Sequence, residues 1–440
     1  MKRPLIERSL LAAGALCLLS VPAFAKDVVI HAGTLIDGLS DTPRKQVSIL
    51  IHDDRITAVS DGFVTPAGAE VIDLSHDTVL PGLIDCHVHL TASYHPGDPI
   101  RAAVTRTPFD DEIDGVNNVR ATLLAGFTSV RDVGGDTRVV VALKKAVTGG
   151  VIPGPRLWVS GNPLGPTDGH GDPLNGLNDE LFKDSGPTMV IDSPDEARKA
   201  VRSLKREGVD LIKIMPSGGV MSIGDDPMLQ LMTDDEIKAV VDTAHALNMK
   251  VAAHAHGEIA INHAIELGVD SIEHGSYGDA TSYKIFKAKG AYLVPTMLVG
   301  QKVYEHAKSH PEDLNPSTVE KALVVGPLLM KNLHDAYAAG VKIAFGTDTF
   351  GLSAHGENAQ EFPLMVKAGM PPMQAIKAAT SNAADLIGDA KDIGAVQAGR
   401  FADIIAVEGD PVADVTILQH VAFVMKGGAV YKAGGKTVQP

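Results

Sequence analysis

Lys250-Val251-Ala252-Ala253-His254-Ala255-His256-Gly257 is a short apolar run that closes on two histidines, and its surroundings decide the fold. Before it, Thr233 to Leu247 has helical spacing behind a threonine cap; after it, Ser271-Ile272-Glu273-His274-Gly275 is another short run closing on a histidine. Runs of this kind alternating with helical patterns predict parallel strands joined by crossover helices. Working outward, barrel-type strands are expected at Ile84 to Leu90, Thr128 to Asp132, Leu157 to Gly161, Val209 to Met215, Lys250 to Ala255, Ser271 to His274, Tyr292 to Thr296 and Lys342 to Thr347. Further helices are expected at Ser193 to Glu207 and Pro371 to Leu386. Eight such units predict an α/β fold, a TIM-like (β/α)8 barrel, whose chemistry sits at the C-terminal ends of its strands.

The two ends have a different texture. Val28 to about His76 reads as short strands separated by Gly, Asp and Pro turns, and the texture returns from Ile393, as in Ala402-Asp403-Ile404-Ile405-Ala406-Val407. Residues 26–78 and 393–440 are therefore expected to form one small β-sandwich domain, and 79–392 the barrel. Residues 1–25 stand apart: Lys2, Arg3 and Arg8 precede an apolar run from Leu10 to Val21 that ends in Ala23-Phe24-Ala25. That is the pattern of a signal peptide, so a periplasmic or secreted location is expected. The run is shorter than the roughly 20 residues that span a bilayer, and no later stretch is long and apolar enough, so no stable membrane insertion is expected after cleavage.

The composition excludes several classes. Of 440 residues, 45% are hydrophobic, enough for a large core. There are 39 Lys and Arg against 54 Asp and Glu, a net charge of -15, which argues against nucleic acid as a partner. Of the two cysteines, Cys17 lies in the leader-like run, so Cys86 would be left alone and no intrachain disulfide is expected.

Metal-type residues fall at strand ends. His87 and His89, in Asp85-Cys86-His87-Val88-His89, are two apart on an extended segment, so their imidazoles share a face. His254 and His256 repeat the spacing after the fifth strand, His274 ends the sixth, and Asp348 follows the eighth. Each has a plainer reading: a core histidine at 274, a helix cap at 348, a loop donor at 256. Four strands ending in ligand-type residues on the face reserved for chemistry favour a metal centre. Lys213, inside Leu211-Ile212-Lys213-Ile214-Met215, places an amine in an apolar strand, where leaving it unpaired costs several kcal/mol. Either it pairs with a barrel carboxylate, or the neutral amine has taken up carbon dioxide as a carbamate, an anionic ligand able to bridge two cations.

This ordered set resembles the amidohydrolase superfamily. The resemblance runs from Val79-Leu80-Pro81-Gly82-Leu83-Ile84-Asp85-Cys86-His87-Val88-His89 through Lys213, His254, His274 and Asp348 to Gly394-Ala395-Val396-Gln397-Ala398-Gly399-Arg400-Phe401-Ala402-Asp403. Ile212-Lys213-Ile214-Met215-Pro216-Ser217-Gly218-Gly219 and His254-Ala255-His256-Gly257 are similar to the prolidase-like metallo-carboxypeptidases and the bacterial ochratoxin-degrading amidohydrolases.

The resemblance implies a binuclear site. His87, His89 and Asp348 would hold the more buried ion and His254 and His274 the outer one. Carbamylated Lys213 would bridge the two, and Asp348 would also be the catalytic base. His256 would contact substrate, with His170 a further candidate and His355 a similar one. Two divalent ions are implied, zinc first, with manganese or cobalt suited to the same ligands. The implied reaction is hydrolysis of an amide or peptide bond in a small N-acyl amino acid or dipeptide, by a homo-oligomer. Another cyclic-amide, lactone or deaminase-type hydrolase of the superfamily is the alternative, which Lys213 argues against; a scaffold has no use for Asp348.

Overall fold

The computed structural model describes residues 27–93, 95, 105–172, 174–175, 178 and 189–439; the leader-like segment 1–25 lies outside them. The fold is a TIM-like barrel with a β-sandwich domain built from both ends of the chain. In the sandwich, Asp27–Leu35 pairs antiparallel with Arg44–His52 and parallel with Glu70–Pro81, which continues antiparallel into Ile404–Glu408 and then Phe423–Lys426. The sheet curls until its N-terminal hairpin meets the C-terminal segment, where Ile56 N–H donates to Arg400 O and Gly399 N–H to Ile56 O. Val28, Ile30, Ile49, Leu74, Ile404 and Phe423 fill the space this curl encloses. Glu70–Pro81 runs straight into the barrel, so the change of domain falls at Gly82, a few residues beyond 78.

The eight barrel strands follow in sequence order: Leu83–Val88, Phe127–Asp132, Arg156–Val159, Leu211–Ile214, Lys250–Ala255, Ser271–His274, Tyr292–Val294 and Lys342–Ile343. All pairings are parallel, with Asp85 opposite Val130, Lys213 opposite Ala252, and His254 opposite Glu273. The third strand meets the fourth through Asp210 N–H and Val159 O at 2.9 Å. The eighth closes onto the first through Cys86 N–H to Phe345 O and Asp348 N–H to His87 O, both 2.8 Å. Two short additional strands, Leu164–Gly165 and Met189–Val190, extend the sheet beside the fourth.

Local chemistry explains the helix starts. Ser193 accepts from Glu196 N–H ahead of Pro194–Glu207, and Thr233 forms a reciprocal box with Glu236 ahead of Asp234–Ala246. The helix expected over Pro371 to Leu386 is instead two, Pro372–Ala378 and Ser381–Ile387. The break occurs because Ala378 and Ala379 give their carbonyls to Phe345 N–H and Ile84 N–H of the barrel wall, at 3.0 and 2.8 Å. The eighth strand likewise leaves the ladder after Ile343, since its later groups bond to helix and strand partners one at a time.

Gly82 is the joint between the domains, its N–H donating to Asp403 O at 2.8 Å. A Cβ there would lie 2.0 Å from Thr128 Oγ1 and 2.5 Å from its methyl. Gly82→Ala is therefore expected to lower unfolding stability by about 1–3 kcal/mol. Adding Thr128→Ala should return part of that loss, because the two nearest contacts disappear; denaturant titration of both variants measures it.

Candidate metal centre

The first barrel strand carries His87 near its end and delivers His89 one residue beyond Val88. His87 Nδ1 lies 2.8 Å from Glu273 Oε2 and His89 Nδ1 lies 2.9 Å from Gly134 O. A carboxylate and a carbonyl only accept, so both rings keep their proton on Nδ1. The remaining Nε2 atoms lie 3.5 and 3.1 Å from Asp348 Oδ1. Three acceptors thus face one another, an arrangement that calls for a cation among them.

A second group forms from His254, His256 and His274, whose ligand-type atoms all lie within 4.8 Å of one another, as do those of His87, His89 and Asp348. Thr296 donates its hydroxyl to Pro295 O at 2.9 Å, so it must accept from His274 Nδ1 at 2.7 Å, and His274 Nε2 is free of a proton. His254 donates from Nε2 to Gly218 O at 3.3 Å, which leaves Nδ1 as its ligand atom. His256 is held by Ser276 Oγ at Nδ1, 2.7 Å, and by Ser217 Oγ at its backbone N–H, 3.0 Å. The two groups adjoin: the His87 and His274 ring centroids are 5.2 Å apart, and those of His254 and His274 are 4.7 Å apart. His274, Thr296 and Asp348 all have left-handed backbones, φ 69°, 49° and 53°, at a cost of order 1–3 kcal/mol each, which the surrounding barrel sustains.

Burial sets the charge states. It lowers His87 to about 4 with help from the Lys213 ammonium, and holds His254 and His274 well below the usual imidazole range. At neutral pH these are uncharged rings with lone pairs to give. Asp348 moves the other way: burial opposes its charge, but His87, His89 and His274 outweigh that and hold the carboxyl far below its ordinary value. Burial likewise drives the Lys213 amine down to about 8, with Glu273 and Asp348 opposing the shift. Lys213 is 2% exposed and sits close enough to His87, His254 and His274 to depress all three.

Behind the first group lies a polar layer that reading the sequence did not single out. Arg131 Nη2 reaches Glu273 Oε1 at 2.8 Å, Arg131 Nε reaches Cys86 O at 2.6 Å, and Ser271 Oγ donates to Glu273 at 2.6 Å. Burial pushes the Glu273 carboxyl up, yet Arg131 and His87 prevail and hold it at about 2. Asp85 accepts from His87 N–H, Thr347 Oγ1 and Asn358 Nδ2 at 3.0, 2.7 and 2.8 Å, tying the first strand to the loop that bears Asp348. Arg131 and Glu273 are likewise charges inside buried strands, but the polar Thr128, Ser129 and Asp132 around the one and Ser271 and His274 around the other hid the signal that Lys213 gave.

The remaining expected residues separate. His256 stands within the second ring group. His170 stacks on His254 with centroids 4.2 Å apart. His355 lies against the carbonyl of His89 at 3.2 Å.

A family model described as the amidohydrolase family matches residues 78–433. Ochratoxinase of Aspergillus niger is 33% identical over 431 residues, covering 93% of this chain and 88% of that protein. A Xaa-Pro dipeptidase structure with methionine bound in its active site is 37% identical at TM-score 0.88, over 93% of this chain and 100% of that one. A prolidase complexed with N-methylphosphonate-L-proline is 31% identical at TM-score 0.85, again over 93% and 100%.

The polar layer has a measurable consequence in metal-free protein. Because the Glu273 carboxyl is held at about 2 against an ordinary 4.5, its contribution to stability is complete above about pH 4.5 and is lost as the pH falls toward 2. Glu273→Gln leaves Arg131 buried without a charge partner and should cost about 3–5 kcal/mol at pH 7. The gap between variant and wild type should narrow on acidification through that window; a gap that stays constant in pH-dependent urea unfolding would contradict the assignment.

Proposed function

This chain belongs to the amidohydrolase family, within its prolidase-like group, and on that premise we propose that it is a binuclear metal-dependent carboxypeptidase or dipeptidase. Its substrates in this reading are N-acyl amino acids and dipeptides, ochratoxin-like amides among them. The observation that carries the proposal is the pair of adjoining ligand groups, His87, His89 and Asp348 beside His254, His256 and His274, with Lys213 buried next to both.

The ligand chemistry fits two divalent ions. His87, His89 and Asp348 would hold one, His254 and His274 the other, and Lys213 would stand between them as its carbamate. Such ions supply an activated water and polarise the scissile carbonyl. Lys213 is suited to carbamylation because burial keeps part of its amine neutral: the nitrogen lone pair bonds to carbon dioxide and a proton leaves. The resulting anion would suit a place between two divalent cations, where a buried ammonium would be repelled. Asp348, whose Oδ1 faces two rings that carry no proton on that side, is placed to take a proton and pass it to the departing amine nitrogen.

A carboxypeptidase must also hold a free carboxylate. We assign that contact to His256, whose Nδ1 is engaged by Ser276 and whose Nε2 remains to donate. Residues 1–25 support a place of work outside the cytoplasm.

Elemental analysis of zinc-loaded protein should find two ions per chain, with a Lys213 side chain heavier by one carbon dioxide in a crystal structure. Lys213→Ala should lose metal and hydrolysis together, with short-chain carboxylates restoring a fraction. Asp348→Asn should keep much of the metal while turnover of N-acyl amino acids falls by about 10² to 10⁴; turnover near wild type would remove Asp348 from its role. His256→Ala should retain metal and lose the preference for substrates with a free carboxylate over their methyl esters. If wild-type enzyme cleaves ester and acid equally, a general amidase replaces the carboxypeptidase.

A further inference from the structure

The end of the barrel opposite the metal centre holds a cavity of about 220 Å³. Arg131, Trp158, Leu211 and Lys250 line it from the second, third, fourth and fifth strands, with Leu386 and Ile387 from the end of helix Ser381–Ile387. Leu211 and Lys250 are the first residues of their strands, whereas the ligand-type residues stand at or beyond strand ends. Lys250 and His254 share one face of their strand with Cα atoms roughly 13 Å apart, so the cavity lies inside the wall but away from the metal ligands.

Two cations line this space. Arg131, 3% exposed, donates Nε to Cys86 O, Nη1 to Ser271 Oγ and Nη2 to Glu273 Oε1. A guanidinium has five N–H groups, so two remain to give. Lys250 donates to the main-chain carbonyl of Asp385 at 3.1 Å and forms no ion pair among the described residues. The nearby carboxylates are engaged elsewhere: Asp385 accepts the Tyr292 hydroxyl at 2.6 Å, and Asp270 accepts Val251 N–H at 2.8 Å. Asp210 also lines the cavity, but Lys144 Nζ and Val159 N–H take its oxygens.

The Arg131–Glu273 and Lys144–Asp210 pairs cancel in charge, which leaves Lys250 in excess. Burial lowers its amine, and Arg131 and Lys342 add to that lowering against Asp270 and Asp385. An anion beside the two cations would relieve their repulsion. The remaining lining, Leu211, Leu386, Ile387 and the Trp158 ring, suits an apolar body, and the volume equals that of about seven waters at roughly 30 Å³ each.

We propose that this cavity binds a small monocarboxylate with a branched apolar tail, its carboxylate held by Lys250 and Arg131 and its tail lying against Trp158. The site is separate from the metal centre and does not depend on the proposed hydrolysis.

Trp158 is the single tryptophan of the chain, so its emission reports the cavity directly. Titrating full-length, zinc-loaded protein with isovalerate should give a saturable blue shift as the alkyl tail displaces water from beside the indole. Isovaleramide, of the same shape without the charge, should give none. Lys250→Met keeps an apolar stem and removes the ammonium; it should weaken isovalerate binding at least about tenfold by calorimetry, the size of a lost charge-assisted hydrogen bond, and abolish the shift. Arg131 is left intact, because replacing it would strand Glu273. Isovalerate bound at the zinc ions alone would release the same heat in wild type and Lys250→Met and leave Trp158 unmoved, and that outcome overturns the site. Equal binding of acid and amide overturns it too, and this comparison uses wild type alone, so it stands whatever Lys250→Met does to folding.

Discussion

Glu273 is the residue on which the rest of the centre depends. It is wholly buried, takes a proton-bearing nitrogen from His87 on one oxygen and the Arg131 guanidinium on the other, and is kept ionised by them against the pull of burial. A buried carboxylate without such partners would protonate and release the ring. With them, His87 has a fixed tautomer, its Nε2 points at Asp348, and the backbone of the first strand is tied through Arg131 to Cys86 O. An orienting partner of this kind raises a ligand's basicity as well as fixing its direction.

The same device recurs around the centre with different acceptors: Gly134 O for His89, Thr296 for His274, Gly218 O for His254. Each anchor belongs to a different barrel segment from the ring it holds, so the geometry of the ligands is the geometry of the barrel. That explains why left-handed backbones are sustained at His274, Thr296 and Asp348. Glu361 reinforces one of them by accepting the N–H groups of Met297 and Leu298, which sets the helix start beside Thr296; burial pushes its carboxyl up to about 8. The strain is local and the restraint is shared by the whole wall.

Electrostatics then divides the interior. His87, His254 and His274 are neutral because burial and the Lys213 amine disfavour their charge, while Glu273 is anionic because the Arg131 guanidinium and the His87 N–H favour its charge. The outcome is a concentration of lone pairs and negative charge at the strand ends around one shifted amine, a setting for cations.

What the sequence determined by itself was periodicity and residue type. Apolar runs ending in histidine or aspartate marked the strands and their functional ends, because a side chain's place along a parallel strand dictates whether it reaches the top of a barrel; Lys213 announced itself because an amine in such a run is costly. The helix over 371–386 escaped that reading, since its break comes from carbonyls claimed by Phe345 and Ile84, residues distant in the chain. Only the tertiary structure could decide which nitrogen of His87, His89, His254 and His274 is free, that His256 stands within the second ring group, and that Ser222 meets His170. Tautomers are set by the acceptors a ring meets, and these acceptors lie from 22 to 186 residues away in sequence, brought near only when the barrel closes.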